Sequence, residues 1–101
     1  MWRMELNEKQ KKYLRGLGHK LEPKVRSGNP GLTQNLIKEA EAQLLFHELI
    51  KVKVAAEDRE ERDRFIERLC AATKATLVTR VGNIALLYKK NTKKPKIELP
   101  K

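Results

Sequence analysis

The run Ser27-Gly28-Asn29-Pro30-Gly31-Leu32-Thr33 sets two glycines three residues apart, directly ahead of a stretch with helical periodicity. Such glycines let a backbone turn sharply and approach a ligand with no side chain intervening. Thr33 has the residue type of an N-cap, and the first turn of the helix it opens leaves amide N–H groups without internal partners. Free amides and the helix dipole together favour an anion, a phosphate above all. A Gly-x-x-Gly ahead of a helix is also an ordinary turn, so the rest of the chain has to decide between the two readings.

Charge is the first arbiter. The 101 residues carry a formal net charge of +10, and that charge is gathered at the ends. Residues 1–26 hold eight Lys or Arg against three Glu, and residues 89–101 hold six Lys against one Glu. The 62 residues between them carry nine basic and nine acidic groups and are neutral. A field concentrated in this way attracts phosphates and makes binding salt-dependent, which points to nucleic acid as the polyanion. Solubility is the plain alternative.

Other classes of chemistry find little support. The one cysteine, Cys70, excludes an internal disulfide and falls at an apolar position of an expected helix. Ser27, Cys70, His19 and His47 would have to supply any nucleophile and base. The glycine loop lacks the Gly-Lys-Ser/Thr of a nucleotide triphosphatase, and no His-Glu-x-x-His is present. His47, beside Glu48 at a helix end, reads as a group that caps carbonyls. A non-enzyme without cofactor or metal is expected. The polar run Asn7-Glu8-Lys9-Gln10-Lys11-Lys12 follows Leu6 at once, and no apolar stretch approaches the ~20 residues of a membrane span. A cytoplasmic location, with no membrane and no small-molecule substrate, follows as the expectation.

The elements that would position the loop can be read from periodicity. Asn7 with Gln10 forms a capping box for a first helix to about residue 20, with Tyr13, Leu14 and Leu17 on one face. Lys11, Lys12, Arg15 and His19 form a basic stripe on the opposite face, either a grip for phosphates or simply the wet side of the helix. Pro23 to Ser27 is a short extended segment. The helix after Thr33 buries Leu36, Ile37, Ala40 and Leu44 and runs to about Phe46. Leu49 to Val54 alternates as a strand, with Ile50, Val52 and Val54 on one side and Lys51 and Lys53 on the other. Asp58 and Glu61 make a capping box for a third helix with Phe65, Ile66, Leu69, Cys70 and Thr73 inside. Leu77–Val81 and Ile84–Tyr88 flank a Gly82-Asn83 hairpin signal, and both faces of that hairpin are apolar. The order is α-β-α-β-α-β-β. Strands separated by helices and closed by a hairpin predict an α/β fold, a two-layer sandwich with a four-stranded mixed sheet and helices on one side.

Four segments in this order and spacing resemble a known family. They are Leu14-Arg15-Gly16-Leu17-Gly18-His19, Gly28-Asn29-Pro30-Gly31-Leu32-Thr33, Glu48-Leu49-Ile50-Lys51-Val52-Lys53-Val54 and Val81-Gly82-Asn83-Ile84-Ala85-Leu86-Leu87-Tyr88. Together they are similar to the CRM (chloroplast RNA splicing and ribosome maturation) domain in its free-standing bacterial, YhbY-like form. The C-terminal Lys96-Ile97-Glu98-Leu99-Pro100 fits that form too.

The resemblance implies a sheet like that of the C-terminal domain of translation initiation factor three, with a loop comparable to the backbone clamp of KH domains. It implies residues 1–90 as an RNA-binding domain and 91–101 as a basic tail, partly docked or flexible. It also implies RNA as partner, in particular ribosomal RNA of precursor large subunits. Gly28, Asn29, Pro30 and Gly31 would be the contact loop, with Lys12, Arg15, His19, Lys24, Lys51 and Lys53 as companions on the RNA face. Two departures stand out: Lys74 where many relatives have glycine, which leaves the third helix end open, and Pro30, which removes one amide donor from the loop. A general RNA chaperone acting on small RNAs, or a protein-interaction domain, is the alternative reading. Only five aromatic residues are present, with no cluster among the basic strand positions, so shape rather than base reading is the expected source of specificity.

Overall fold

Each helix starts where a capping side chain can satisfy its orphan amides. In the computed structural model, which describes residues 6–27 and 32–100, Asn7 opens α1 (Glu8–Gly18). The Asn7 side chain accepts from the Gln10 N–H at 2.8 Å, and the Gln10 side chain accepts from the Asn7 N–H at 3.1 Å. After β1 (Pro23–Arg26), Thr33 caps α2 (Gln34–His47) by accepting from the Leu36 N–H at 3.1 Å. β2 (Leu49–Lys53) follows, then α3 (Arg59–Thr73), where Asp58 accepts from the Glu61 N–H at 2.8 Å. The expected reciprocal bond at this cap is displaced by one residue, because the Glu61 carboxylate accepts from the Glu57 N–H instead, at 3.4 Å.

The end of α3, open in the sequence, is closed by Lys74 in the left-handed conformation (φ 63°), with the Cys70 carbonyl accepting from the N–H groups of Lys74 and Ala75. β3 (Thr76–Val81) and β4 (Ile84–Tyr88) enclose Gly82-Asn83. Gly82 has φ +61° and Asn83 is not in positive φ, the pattern of a type II′ turn.

The four strands form one mixed sheet in the order β1-β2-β4-β3. β1 runs parallel to β2, and β4 is antiparallel to both of its neighbours, β2 and β3. Ile50, Val52, Ala85 and Leu87 face α2 and α3, where Leu36, Ala40, Leu44, Phe65, Ile66, Leu69 and Cys70 complete the larger core. Fully burying a Leu, Ile or Val side chain contributes about 1.5–3 kcal/mol, so this layer carries most of the stability.

The helices do not all lie on one side of the sheet. Leu14 of α1 packs with Leu49, Val78, Leu86 and Tyr88 on the opposite face, where Leu6, Leu21, Ile97 and Leu99 join it. The reason is in the strands. β4 is apolar at consecutive positions and β2 begins Leu49-Ile50, so both faces of the sheet present hydrophobic surface that must be covered. The architecture is therefore three-layered: α1 with the C-terminal segment, then the sheet, then α2 and α3. The apolar face of α1 is also rotated from expectation. Leu14 and Gly18 are buried, while Tyr13 and Leu17 remain 42% and 38% exposed. Gly18 permits the close approach, since a Cβ there would stand 2.9 Å from the Leu86 side chain.

Candidate nucleic-acid interface

α1 covers only part of its face of the sheet, and register shows what it leaves open. Arg26 pairs with Lys53, Lys53 with Ile84, and Ile84 with Val81, a row that crosses all four strands on the α1 side. In the next row Lys51 pairs with Leu86 and Leu86 with Thr79. Strand neighbours stand about 4.7–4.9 Å apart, so Arg26, Lys53 and Lys51 form a compact cationic group. Arg15 and His19, at the C-terminal end of α1, border it. Together with Gly18, Lys51, Thr79, Val81, Ile84 and Leu86 they line a groove of about 260 Å³.

Among the described residues, the cations of this face have no acid partner. The ion pairs among the described residues join Asp63 to Arg62 and Arg80, each at 3.5 Å, on the α3 side of the sheet. Arg15, Arg26, Lys51 and Lys53 are thus available to an external anion. Arg26 was missed in the sequence, although the alternation about buried Val25 signals it. Val81, Ile84 and Thr79 were missed as well.

Lys24 and Lys12 do not join the group. The β1–β2 register slips between Pro23 and Val25, which makes Lys24 the extra residue and turns it out of the row. Its charge acts instead on His47, at the far end of α2. Lys12 is exposed on α1, about half a turn round from buried Leu14, and faces water away from the sheet.

Gly28, Asn29, Pro30 and Gly31 lie outside the described residues, but both anchors of their loop are fixed. Ser27 donates its N–H to the Lys53 carbonyl at 2.8 Å, and its Oγ accepts from the Ala55 N–H at 2.8 Å. The chain therefore enters the loop beside the Arg26–Lys53 row and leaves it at the Thr33 cap.

A second basic surface occupies the other end of the molecule. Phe46 is 64% exposed, with the Lys96 Nζ 3.9 Å above its ring and the His47 ring edge-on at 4.8 Å. Partial burial, then the charges of Lys24 and Lys96, hold the His47 imidazole below its ordinary value of 6.5. His47 does not close its helix. The Glu48 N–H donates to the Leu44 carbonyl, and Asn91 Nδ2 donates to the Leu45 carbonyl at 3.0 Å.

Glu48 holds the C-terminal segment here. Fully buried at φ 64°, its carboxylate accepts from the N–H groups of Asn91 at 2.7 Å, Lys96 at 2.5 Å and Ile97 at 2.7 Å. Gln10 Nε2 donates to the Pro100 carbonyl at 3.0 Å, which ties the far end of the segment to α1. Buried beside this staple, Tyr88 has its hydroxyl pKa raised by burial first and by the Glu48 charge second.

The groups that catalysis would need are dispersed. Cys70 is buried in α3, Ser27 Oγ serves the loop anchor, and His19 and His47 belong to separate surfaces. Among the described residues no group of three His, Cys, Asp or Glu could hold a metal, and no helix is long and apolar enough to cross a membrane.

This is a small α/β domain whose cations, without acid partners among the described residues, gather on one partly covered sheet face beside the anchors that flank residues 28–31. Residues 6–89 match the CRS1/YhbY (CRM) domain, and the chain belongs to that family.

It is similar to an RNA-binding protein of Haemophilus influenzae, 45% identical over 96 residues, or 95% of this chain and 96% of that one. A probable RNA-binding protein of Pseudomonas aeruginosa is 41% identical over 90 residues, or 89% of this chain and 86% of its own length. The solution structure of a hypothetical protein from Staphylococcus aureus superposes with a TM-score of 0.81 at 35% identity, covering 95% of this chain and 100% of that one.

Proposed function

We propose that this chain is a non-catalytic RNA-binding protein whose contact surface is the open part of the α1-side sheet face together with the Gly28–Gly31 loop. The observation that carries the reading is the gathering of Arg15, His19, Lys51, Lys53 and Arg26 with no acid partner among the described residues. Lys and Arg here take phosphates, while loop amides fix the backbone register. The relatives named RNA-binding support RNA over other polyanions.

Within that function, we place the chain on ribosomal RNA of precursor large subunits in the cytoplasm, where it assists assembly. The support for this finer reading is the resemblance to free-standing bacterial YhbY-like proteins.

Charge reversal tests the surface. Arg15→Glu with Lys51→Glu lowers RNA affinity and flattens the salt dependence by roughly 0.7–0.9 in log–log slope per lost phosphate contact. Lys12→Glu, on the water side of α1, leaves the slope nearly unchanged. Equal effects of the double variant and of Lys12→Glu would remove this face from the interface. For the assembly role, lysates are run on sucrose gradients at low and moderate salt. Enrichment with precursor large subunits, stripped by salt, is the expected profile, and a signal only at the top of the gradient at both salts refutes it.

A further inference from the structure

The groove beside the cations is built for more than a phosphate. Its floor and outer wall are aliphatic: Leu86 and Ile84 lie below, and Val81 stands 74% exposed at the edge strand. A sugar–phosphate chain gains nothing from such a floor. Its upper rim is polar, with the Arg15 guanidinium, the Lys51 ammonium and the His19 imidazole, and Thr79 offers a neutral hydroxyl. Arg guanidinium and His imidazole planes are surfaces on which unpaired bases stack, so the groove joins a flat polar rim to an apolar bed without needing a Phe or Tyr.

The backbone is arranged to make this site. The β3–β4 register slips between Leu77 and Thr79, so Val78 and Thr79 both turn to the α1 side. Val78 seals the core under α1, while Thr79 opens into the groove. A bulge re-aims a side chain in this way at the cost of one ladder position. At about 260 Å³ the groove falls below the roughly 300–1,000 Å³ of drug-sized pockets, a size that suits one nucleobase.

We infer that this groove seats a single unpaired nucleobase, with Arg15 and His19 against the ring, Ile84, Leu86 and Val81 beneath it, and Lys51 on the adjoining phosphate. The inference rests on the RNA-binding reading and deepens it. The preferred ligand is then single-stranded or looped RNA, because an A-form duplex keeps its bases stacked inside. Base contact would thus supplement the shape recognition expected from the sequence.

The test uses the full chain, labelled with 15N, and titrates it in parallel with adenosine 5′-monophosphate and ribose 5-phosphate. Amide shifts at Thr79, Val81 and Ile84 that saturate with the nucleotide and are absent with the sugar phosphate are the expected result. Equal shifts with both ligands would show a phosphate site only and overturn the base pocket. Shifts at these amides with an acidic leucine-containing peptide and none with the nucleotide would overturn it in favour of a protein partner.

A second measurement separates this inference from the function beneath it. A ten-nucleotide single-stranded RNA is expected to bind about fivefold to a hundredfold tighter than the same strand with abasic sugars. Val81→Ser, at an exposed position, narrows that gap. If strands with and without bases bind alike, the base pocket fails while RNA binding stands. If neither binds, the function itself fails and the pocket with it.

Discussion

Glu48 is the residue on which the C-terminal segment depends, and its replacement has a calculable consequence. Glu48→Gln keeps the shape of the side chain and removes its charge. An amide nitrogen then replaces one of two oxygens that together accept three backbone N–H groups. A hydrogen bond to a charged group contributes about 1.5–3 kcal/mol and a neutral one about 0.5–1.5 kcal/mol. One bond becomes a donor facing a donor, and the other two weaken by about 1 kcal/mol each, for a total near 3–5 kcal/mol.

For a domain of this size each kcal/mol moves the unfolding midpoint by about 4–8 °C, so thermal unfolding should fall by at least about 12 °C. Amide exchange provides the local readout. Asn91, Lys96 and Ile97 lose protection, while the β2–β4 ladder keeps it relative to the new global stability. A control uses the backbone: Glu48→Gly relieves the positive φ of 64° and should be about 1 kcal/mol more stable than Glu48→Ala. A Glu48→Gln midpoint within about 4 °C of wild type, with the three amides still protected, would refute the staple.

Other consequences can be checked together. The Tyr88 hydroxyl is buried without a hydrogen-bond partner among the described residues, so Tyr88→Phe should stay within about 1 kcal/mol of wild type at neutral pH. The same change tests a pH effect. A tyrosine pKa raised by folding stabilises fully below the unfolded value of 10.0 and is lost as pH rises through the folded value, so alkaline melts should show that loss in wild type and not in the variant. Gly16 has open space where a Cβ would go, so Gly16→Ala should stabilise α1 by about 0.5–1 kcal/mol, while Gly18→Ala must displace Leu86 and should lower the melting midpoint. Lys74→Gly relieves the left-handed cap and should raise stability by about 1 kcal/mol in chemical unfolding.

Much of this molecule is legible in one dimension because local rules govern it. Asn7, Thr33 and Asp58 cap helices because their side chains reach an amide three residues on, a distance set by helix geometry alone. Gly82 marks its turn because positive φ is inexpensive only for glycine. The alternation of Leu49 to Lys53 put Lys51 and Lys53 on one face before any sheet existed. The element order and the mixed sheet followed from these local signals.

What only the tertiary structure decided depends on contacts between segments distant in the chain. The two apolar faces of the closing hairpin were visible, but which element would cover the second one was not. That choice fell to α1, and with it came the three-layer packing and the partial cover that leaves a groove. Register slips are likewise set between strands. One removed Lys24 from the cationic row, and another turned Thr79 toward the groove. Arg26 gained its place only when β1 paired with β2. The role of Glu48 is the clearest case, since a carboxylate at a helix end becomes a staple only when amides more than forty residues later fold back onto it. Sequence fixes what each side chain can do, and long-range packing decides which groups it meets.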